Sequence, residues 1–137
     1  MLAEHFGASI HLLHVVDDAF LGSTALEPPV YVPLPPQLRE ELSEDAAQRL
    51  RVRLERVQPL HADSAVECST KSTADTINEY AVAHHIDLIV IGARASVRGH
   101  FANLFVGKVA EELIHRAPCP VVTVCEAADA GARRSAA

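Results

Sequence analysis

Glycine and basic residues stand between an apolar strand and an amphipathic helix in the last third of the chain. Gly92 ends the strand, Gly107 and Lys108 begin the helix, and Arg94 and Arg98 lie in the loop. A helix N-terminus offers unpaired backbone N–H groups to a phosphate, and glycine lets the backbone approach it closely. Arginine and lysine side chains at the same place would add positive charge. This loop is therefore a candidate anion-binding site.

The histidines are spaced in ways that favour structural roles. His11 and His14 fall on opposite faces of a strand, so they cannot easily chelate one metal ion. His84 and His85 end a helix, where the helix dipole favours a cation. We therefore predict no metal site.

Sequence motifs for covalent catalysis and phosphoryl transfer are missing. The chain contains no GxSxG elbow and no GxxxxGK[ST] loop. Cys68, Cys119 and Cys125 are an odd number of cysteines without a CxxC pair, which is neither a disulfide framework nor a zinc pattern. We predict buried, inert thiols at Cys119 and Cys125, no catalytic residues and a reducing compartment.

Length and charge limit the classes of protein to which the chain can belong. Its 137 residues suit one domain, and 12 basic against 18 acidic residues give a formal charge of -6. A positive field that would capture nucleic acid or anionic lipid is therefore missing. The apolar runs are shorter than the roughly 18 residues of a spanning helix, and Met1–Gly7 is no signal peptide. We predict a soluble, cytoplasmic protein.

Hydrophobic periodicity and proline positions predict an alternating series of helices and strands. A helix end, a strand, a proline-rich loop and a long helix come first, at Met1–Phe6, Ile10–Val16, 19–36 and Gln37–Val57. A strand, a capped helix, a strand, the most regular helix and a last strand follow, at Ala65–Ser69, Thr73–His84, Leu88–Ile91, Val106–Ile114 and Val121–Val124. The alanine-rich tail, 126–137, is expected to be disordered.

Alternation of strands and helices predicts the α/β class, with an open, mostly parallel, doubly wound sheet. Ligands of such sheets bind beyond the carboxyl ends of the strands. The proline-rich loop 19–36 is predicted to be an inserted lid. Its alternative role is a partner-binding segment, because its apolar residues alternate with prolines in a way that suits polyproline II geometry.

Several segments in order resemble the universal stress protein family. Asp87–Gly92 is similar to the family's DLIV[MI]G strand, Ala117–Val122 to its APCPVLVV segment, and Ala8–Val16 to its GAELHLLHVV strand. The resemblance covers about Phe6–Cys125, so we predict one domain over 1–125. It implies a five-stranded parallel sheet of the adenine nucleotide alpha hydrolase-like type, usually dimeric.

The family's ATP-binding branch carries a glycine motif from which this sequence departs. Ala95 stands three residues after Gly92, where the motif has its second glycine, and Lys108 replaces the hydroxyl residue after Gly107. The spacing from Gly92 to Gly107 is also two residues longer than the motif allows. The resemblance nevertheless implies the positions of a bound nucleotide. They are Val16 for adenine, Gly92, Arg94, Arg98 and Gly99 for the cleft, and Gly107, Lys108 and Val109 for phosphate.

The family also has a first strand and helix before the segment that matches Ala8–Val16. This chain has only the end of that helix, so the central strand and its nucleotide-binding Asp have no counterpart. We expect a truncated chain or a late start codon. If the chain is natural as written, the strands that end at Val16 and Ile91 become neighbours, or another chain fills the gap.

The leading functional prediction is a cytoplasmic stress-response binding and regulatory protein with weak or no ATP binding. We predict a homodimer through the last strand, Val121–Val124. The alternative is an adenine-nucleotide-binding stress protein that uses the loop from Gly92 to Lys108. A third reading, an enzyme that hydrolyses or transfers nucleotides, rests on fold analogy alone.

Overall fold

The computed structural model describes residues 2–22, 30–57, 61–93 and 107–125. The described residues form four helices and six strands. In chain order they are α1 Leu2–Phe6, β1 Ile10–Asp17, β2 Ala19–Gly22, β3 Val30–Pro33, α2 Pro36–Val57, β4 Ala62–Ser69, α3 Thr73–Ala83, β5 Ile89–Ala93, α4 Lys108–Arg116 and β6 Val121–Cys125. The predicted tail 126–137, the loop residues 94–106 and Pro59 lie outside the described residues.

Two compact units divide the chain, Met1–Ile77 and Asn78–Ala137. In the first unit β1 and β4 run parallel, and the register extends from Ile10 opposite Ala62 to Asp17 opposite Ser69. The helix α2 packs on both strands. This strand–helix–strand unit confirms the α/β class and the parallel sheet.

The helix α2 forms as its apolar spacing predicts, but it buries only part of its predicted stripe. Ala46 and Leu50 are buried, whereas Leu38 and Leu42 keep about two fifths of their surface exposed. The helix begins at Pro36, one residue before the predicted start. Proline is well suited to the first helical position, because its missing N–H would have no partner there.

The second unit holds a smaller parallel pair. The strands β5 and β6 are in register from Ile89 opposite Val121 to Ala93 opposite Cys125, and α4 packs on both. Leu113 of α4 is fully buried at 0% exposure. Ile114, which the sequence places in the same apolar stripe, is 52% exposed, so that part of the prediction is wrong. A helix that faces a two-stranded sheet buries a narrow stripe, and Ile114 lies about 100° around the helix from Leu113.

Helix ends follow their sequence signals. Gly7 has φ +62 after α1, and the N–H of Ala8 donates to the carbonyl of Ala3 at 2.9 Å, as in a left-handed helix cap. Ser72 caps α3, because its Oγ accepts from the N–H of Asp75 at 3.1 Å and donates to the carboxylate of Asp75 at 2.9 Å.

The sequence predicted a loop throughout the proline-rich segment, and this prediction is wrong. Ala19–Gly22 and Val30–Pro33 pair as an antiparallel ribbon, with Ala19 opposite Pro33. The ribbon accepts a proline because Pro33 is the last residue of β3, and a terminal position of a two-stranded ribbon does not require every N–H. The residues between the two strands, 23–29, lie outside the described part of the chain.

The described strands form three two-stranded sheets, so no complete five-stranded sheet occurs among them. Hydrogen bonds join β1 to β4 and β5 to β6, in separate sheets. The strands that end at Val16 and Ile91 belong to different units, so their direct pairing stays a prediction. The fold is α/β with parallel strands in open sheets.

Candidate functional site

The start of α4 is the part of the predicted phosphate site that the structure describes most completely. Gly107 is the N-cap residue, at φ -55 and ψ 155, and its carbonyl accepts from the N–H of Glu111 at 3.0 Å. No side chain caps this end. Lys108 is the first helical residue, and Val109, the second, is half-buried. The first-turn N–H groups therefore lie next to a residue with a cationic side chain, Lys108.

The side chain of Lys108 is exposed to solvent and lies near a carboxylate of the same helix. It is 89% exposed, and its Nζ lies 3.9 Å from Oε1 of Glu112, one turn further on. Glu111 adds a second carboxylate in the first turn. These carboxylates offset the positive charge that Lys108 brings to the helix N-terminus.

Gly92 lies within β5, opposite Val124 of β6, and is exposed. A Cβ added at Gly92 or at Gly107 would meet no atom within 4 Å. Neither glycine has a positive φ. The packing of the described residues therefore does not require glycine at either position.

The remaining predicted site residues are distributed over the chain. Val16 is buried near the end of β1, opposite Cys68, and belongs to the first unit. Arg94, Arg98 and Gly99 lie outside the described residues. The structure thus places Gly107, Lys108 and Val109 together at a helix start and Gly92 on a strand on which that helix packs. The nucleotide site as a whole remains a prediction.

A cleft that the sequence did not predict lies in the first unit. It has a volume of about 440 Å³ and is formed by the last part of β1 and one face of α2. Its polar lining includes His14, Arg49 and Arg53. The available sequence signal was the spacing of Arg49 and Arg53, four residues apart and therefore on one helical face. The packing of this face against the end of β1 is a tertiary contact, which the sequence alone does not predict.

The described part of the chain lacks both a metal-binding cluster and a membrane-spanning helix. No group of three or more His, Cys, Asp or Glu side chains there could hold a metal ion. None of the helices described above is long and apolar enough to cross a membrane.

Comparison with known proteins identifies the family. The sequence profile of the universal stress protein family matches residues 1–124. The chain belongs to this family. A Thermus aquaticus protein, "Universal stress protein in QAH/OAS sulfhydrylase 3'region", is 30% identical over 112 residues, with 75% of this chain and 78% of the relative covered.

Solved universal stress protein structures share the fold. Universal stress protein UspA from Lactobacillus plantarum superposes with a TM-score of 0.60 at 27% identity, and covers 90% of this chain and 81% of its own. The universal stress protein from Archaeoglobus fulgidus has a TM-score of 0.57 at 19% identity, and covers 89% and 75%. These likenesses confirm the fold that the segments Ala8–Val16, Asp87–Gly92 and Ala117–Val122 predicted.

Proposed function

We propose that this universal stress protein is a cytoplasmic stress-response binding and regulatory protein that binds ATP weakly or not at all, and that it is not an enzyme. The stress-response role is supported by family membership over residues 1–124. We further propose that it acts as a homodimer through Val121–Val124.

The first position of α4 carries the proposal that ATP binding is weak. The family's ATP motif implies a hydroxyl at this position, and this chain has Lys108 there. A hydroxyl donates and accepts hydrogen bonds close to the backbone, whereas a lysine reaches past it with a flexible ammonium group. That ammonium group already has Glu112 within 3.9 Å. Both facts weaken the phosphate-binding chemistry of the helix start.

One observation favours the alternative, an adenine-nucleotide-binding protein. Among the described residues, neither the backbone conformation nor the packing explains why positions 92 and 107 are glycine. The space beside both would let a phosphate group approach the backbone closely. Under this alternative, Lys108 would leave Glu112 and bind the phosphate.

Calorimetric titration with ATP and Mg²⁺ separates the two proposals. We expect no saturable binding below about 1 mM, corresponding to less than ~4 kcal/mol of binding free energy. Micromolar binding that Lys108→Ala weakens would overturn the proposal and establish the alternative. Lys71→Ala, which removes the chain's other lysine from an exposed position of the first unit, is the matched control.

The same samples test the proposal that the protein is not an enzyme. We expect ATP to stay intact over hours of incubation, because no catalytic base or nucleophile is identified among the described residues near the start of α4. Release of ADP that Lys108→Ala abolishes and Lys71→Ala does not would assign nucleotide hydrolysis to the chain.

A further inference from the structure

The cleft between β1 and α2 has the size and lining of a small-molecule site. Ligand sites commonly enclose about 300 to 1,000 Å³, and this one encloses about 440 Å³. It lies in the first unit and does not include the glycine loop or the start of α4. Of the residues predicted to bind a nucleotide, Val16 is the one that also lines this cleft.

The inner wall of the cleft is apolar. Val16, Ala46 and Leu50 line it and are buried, and Leu42 lines it while partly exposed. These side chains offer a surface from which a ligand's hydrocarbon part would displace water. Leu42 is an apolar residue that the described structure leaves only partly covered.

The rim of the cleft carries two guanidinium groups. Arg49 and Arg53 both line the cleft and are separated by one helical turn, so they project from the same face of α2. Nη2 of Arg49 lies 2.8 Å from Oδ2 of Asp45. That ion pair orients Arg49 and leaves most of its five N–H donors available to a ligand.

The other charged and polar side chains that line the cleft are His14, Asp17 and Asp45. The charge of Asp45 is compensated by Arg49, and Asp17 takes part in an interaction of its own. His14 is exposed and contributes a ring N–H donor. The donors available to an anion are Arg53, Arg49 and His14, and the carboxylate of Asp17 lines the same cleft.

We propose that this cleft binds a small organic anion, with a carboxylate or phosphate head group on an apolar chain. The head group lies against Arg53 and Arg49, where planar guanidinium groups match either anion with two parallel hydrogen bonds. The apolar chain lies along Val16, Leu42 and Leu50. The chain's formal charge of -6 repels anions in general, so binding depends on these local arginines.

Three probes with the same tail test the head group. Octanoate, octyl phosphate and octanol are titrated into isotopically labelled protein, and amide shifts are followed by NMR. We expect saturable binding of octanoate or octyl phosphate near about 1 mM, with the largest shifts at His14, Asp45 and Arg49. The stronger of the two anions identifies the head group. Octanol binding as tightly as both anions, or shifts confined to other residues, would overturn the proposal.

Substitution of the rim arginine tests the role of charge. We expect Arg53→Gln to weaken the better anion about fivefold to tenfold, because one charge-assisted hydrogen bond at an exposed rim is lost. Arg51→Gln is the matched control, since Arg51 is an exposed arginine of the same helix outside the cleft. Equal affinities in the wild type and both variants, or equal weakening in both, would overturn the proposal. Mapping of the shifts on the wild-type protein remains decisive even if a variant does not fold.

Discussion

Nε of Arg39 lies 3.1 Å from Oδ1 of Asp18, and this contact joins the residue that follows β1 to the first turn of α2. Asp18 is 6% exposed, and neither of the two atoms makes a hydrogen bond, so the contact is an ion pair whose N–H is poorly aligned. The backbone of Asp18 donates to the carbonyl of Ser69 and accepts from the N–H of Leu34. One residue therefore ties together the ends of β1 and β4, the segment after β3 and the start of α2.

Asp18→Asn should lower the free energy of unfolding by about 1 to 3 kcal/mol, because it leaves the partly buried guanidinium of Arg39 without a counter-charge. Urea denaturation measures the difference. Asp45→Asn is the control, since its partner is also an arginine, Arg49, but both side chains are more than half exposed. The control should cost less than about 0.5 kcal/mol. Equal costs would show that burial of Asp18 does not strengthen its ion pair.

Two adjacent residues of α4 should differ in how much their truncation destabilises the second unit. Leu113→Ala should lower the free energy of unfolding by about 2 to 5 kcal/mol, because a fully buried side chain leaves a cavity. Ile114→Ala removes an equally large side chain that is about half exposed, and should cost less than about 1 kcal/mol. Thermal and urea denaturation measure both. A larger loss for Ile114→Ala would mean that its exposed face is covered in solution.

The end of α3 contains a non-glycine residue in the left-handed conformation. His85 has φ 53, and the N–H of Ile86 donates to the carbonyl of Ala81 at 2.9 Å, in a cap that favours glycine. His85→Gly should therefore raise the free energy of unfolding by about 0.5 to 1 kcal/mol. His84→Gly should lower it by a similar amount, because His84 stacks on Tyr80 with ring centroids 4.0 Å apart. Urea denaturation distinguishes the signs, and a loss for both variants would contradict the strain at His85.

Much of the fold could be predicted because apolar spacing and helix caps are local signals. The helix α2 and the strand β6 lie within one or two residues of their predicted bounds. The strand β4 is longer than predicted, Ala62–Ser69 rather than Ala65–Ser69. Asp63 and Ser64 carry little strand signal, and their extended conformation comes from pairing with the eight-residue strand β1.

Tertiary features account for what the sequence could not predict. The antiparallel pairing of Ala19–Gly22 with Val30–Pro33 depends on which strand edges come together in the folded chain. The prolines of this segment argued against any strand there. The cleft depends on the same kind of fact, because Arg49 and Arg53 resemble ordinary solvated residues until their helix is placed against β1. For the predicted nucleotide site, local signals located the start of α4 and the end of β5. They could not show whether Val16 joins them, since Val16 and Gly92 belong to different units.

The last strand offers an apolar surface for the proposed homodimer. Val122 and Val124 of β6 are 45% and 53% exposed, and no described strand pairs with the second edge of β6. We expect light scattering to give about twice the chain mass of 14.8 kDa. Val124→Lys should shift the protein to the mass of one chain, because it would place a charged side chain in an apolar interface. Val82→Lys, at a valine of α3 that is also well exposed, should leave the dimer intact. A monomeric wild type at roughly tens of micromolar would remove β6 as the interface, as would a dimer that Val124→Lys does not weaken.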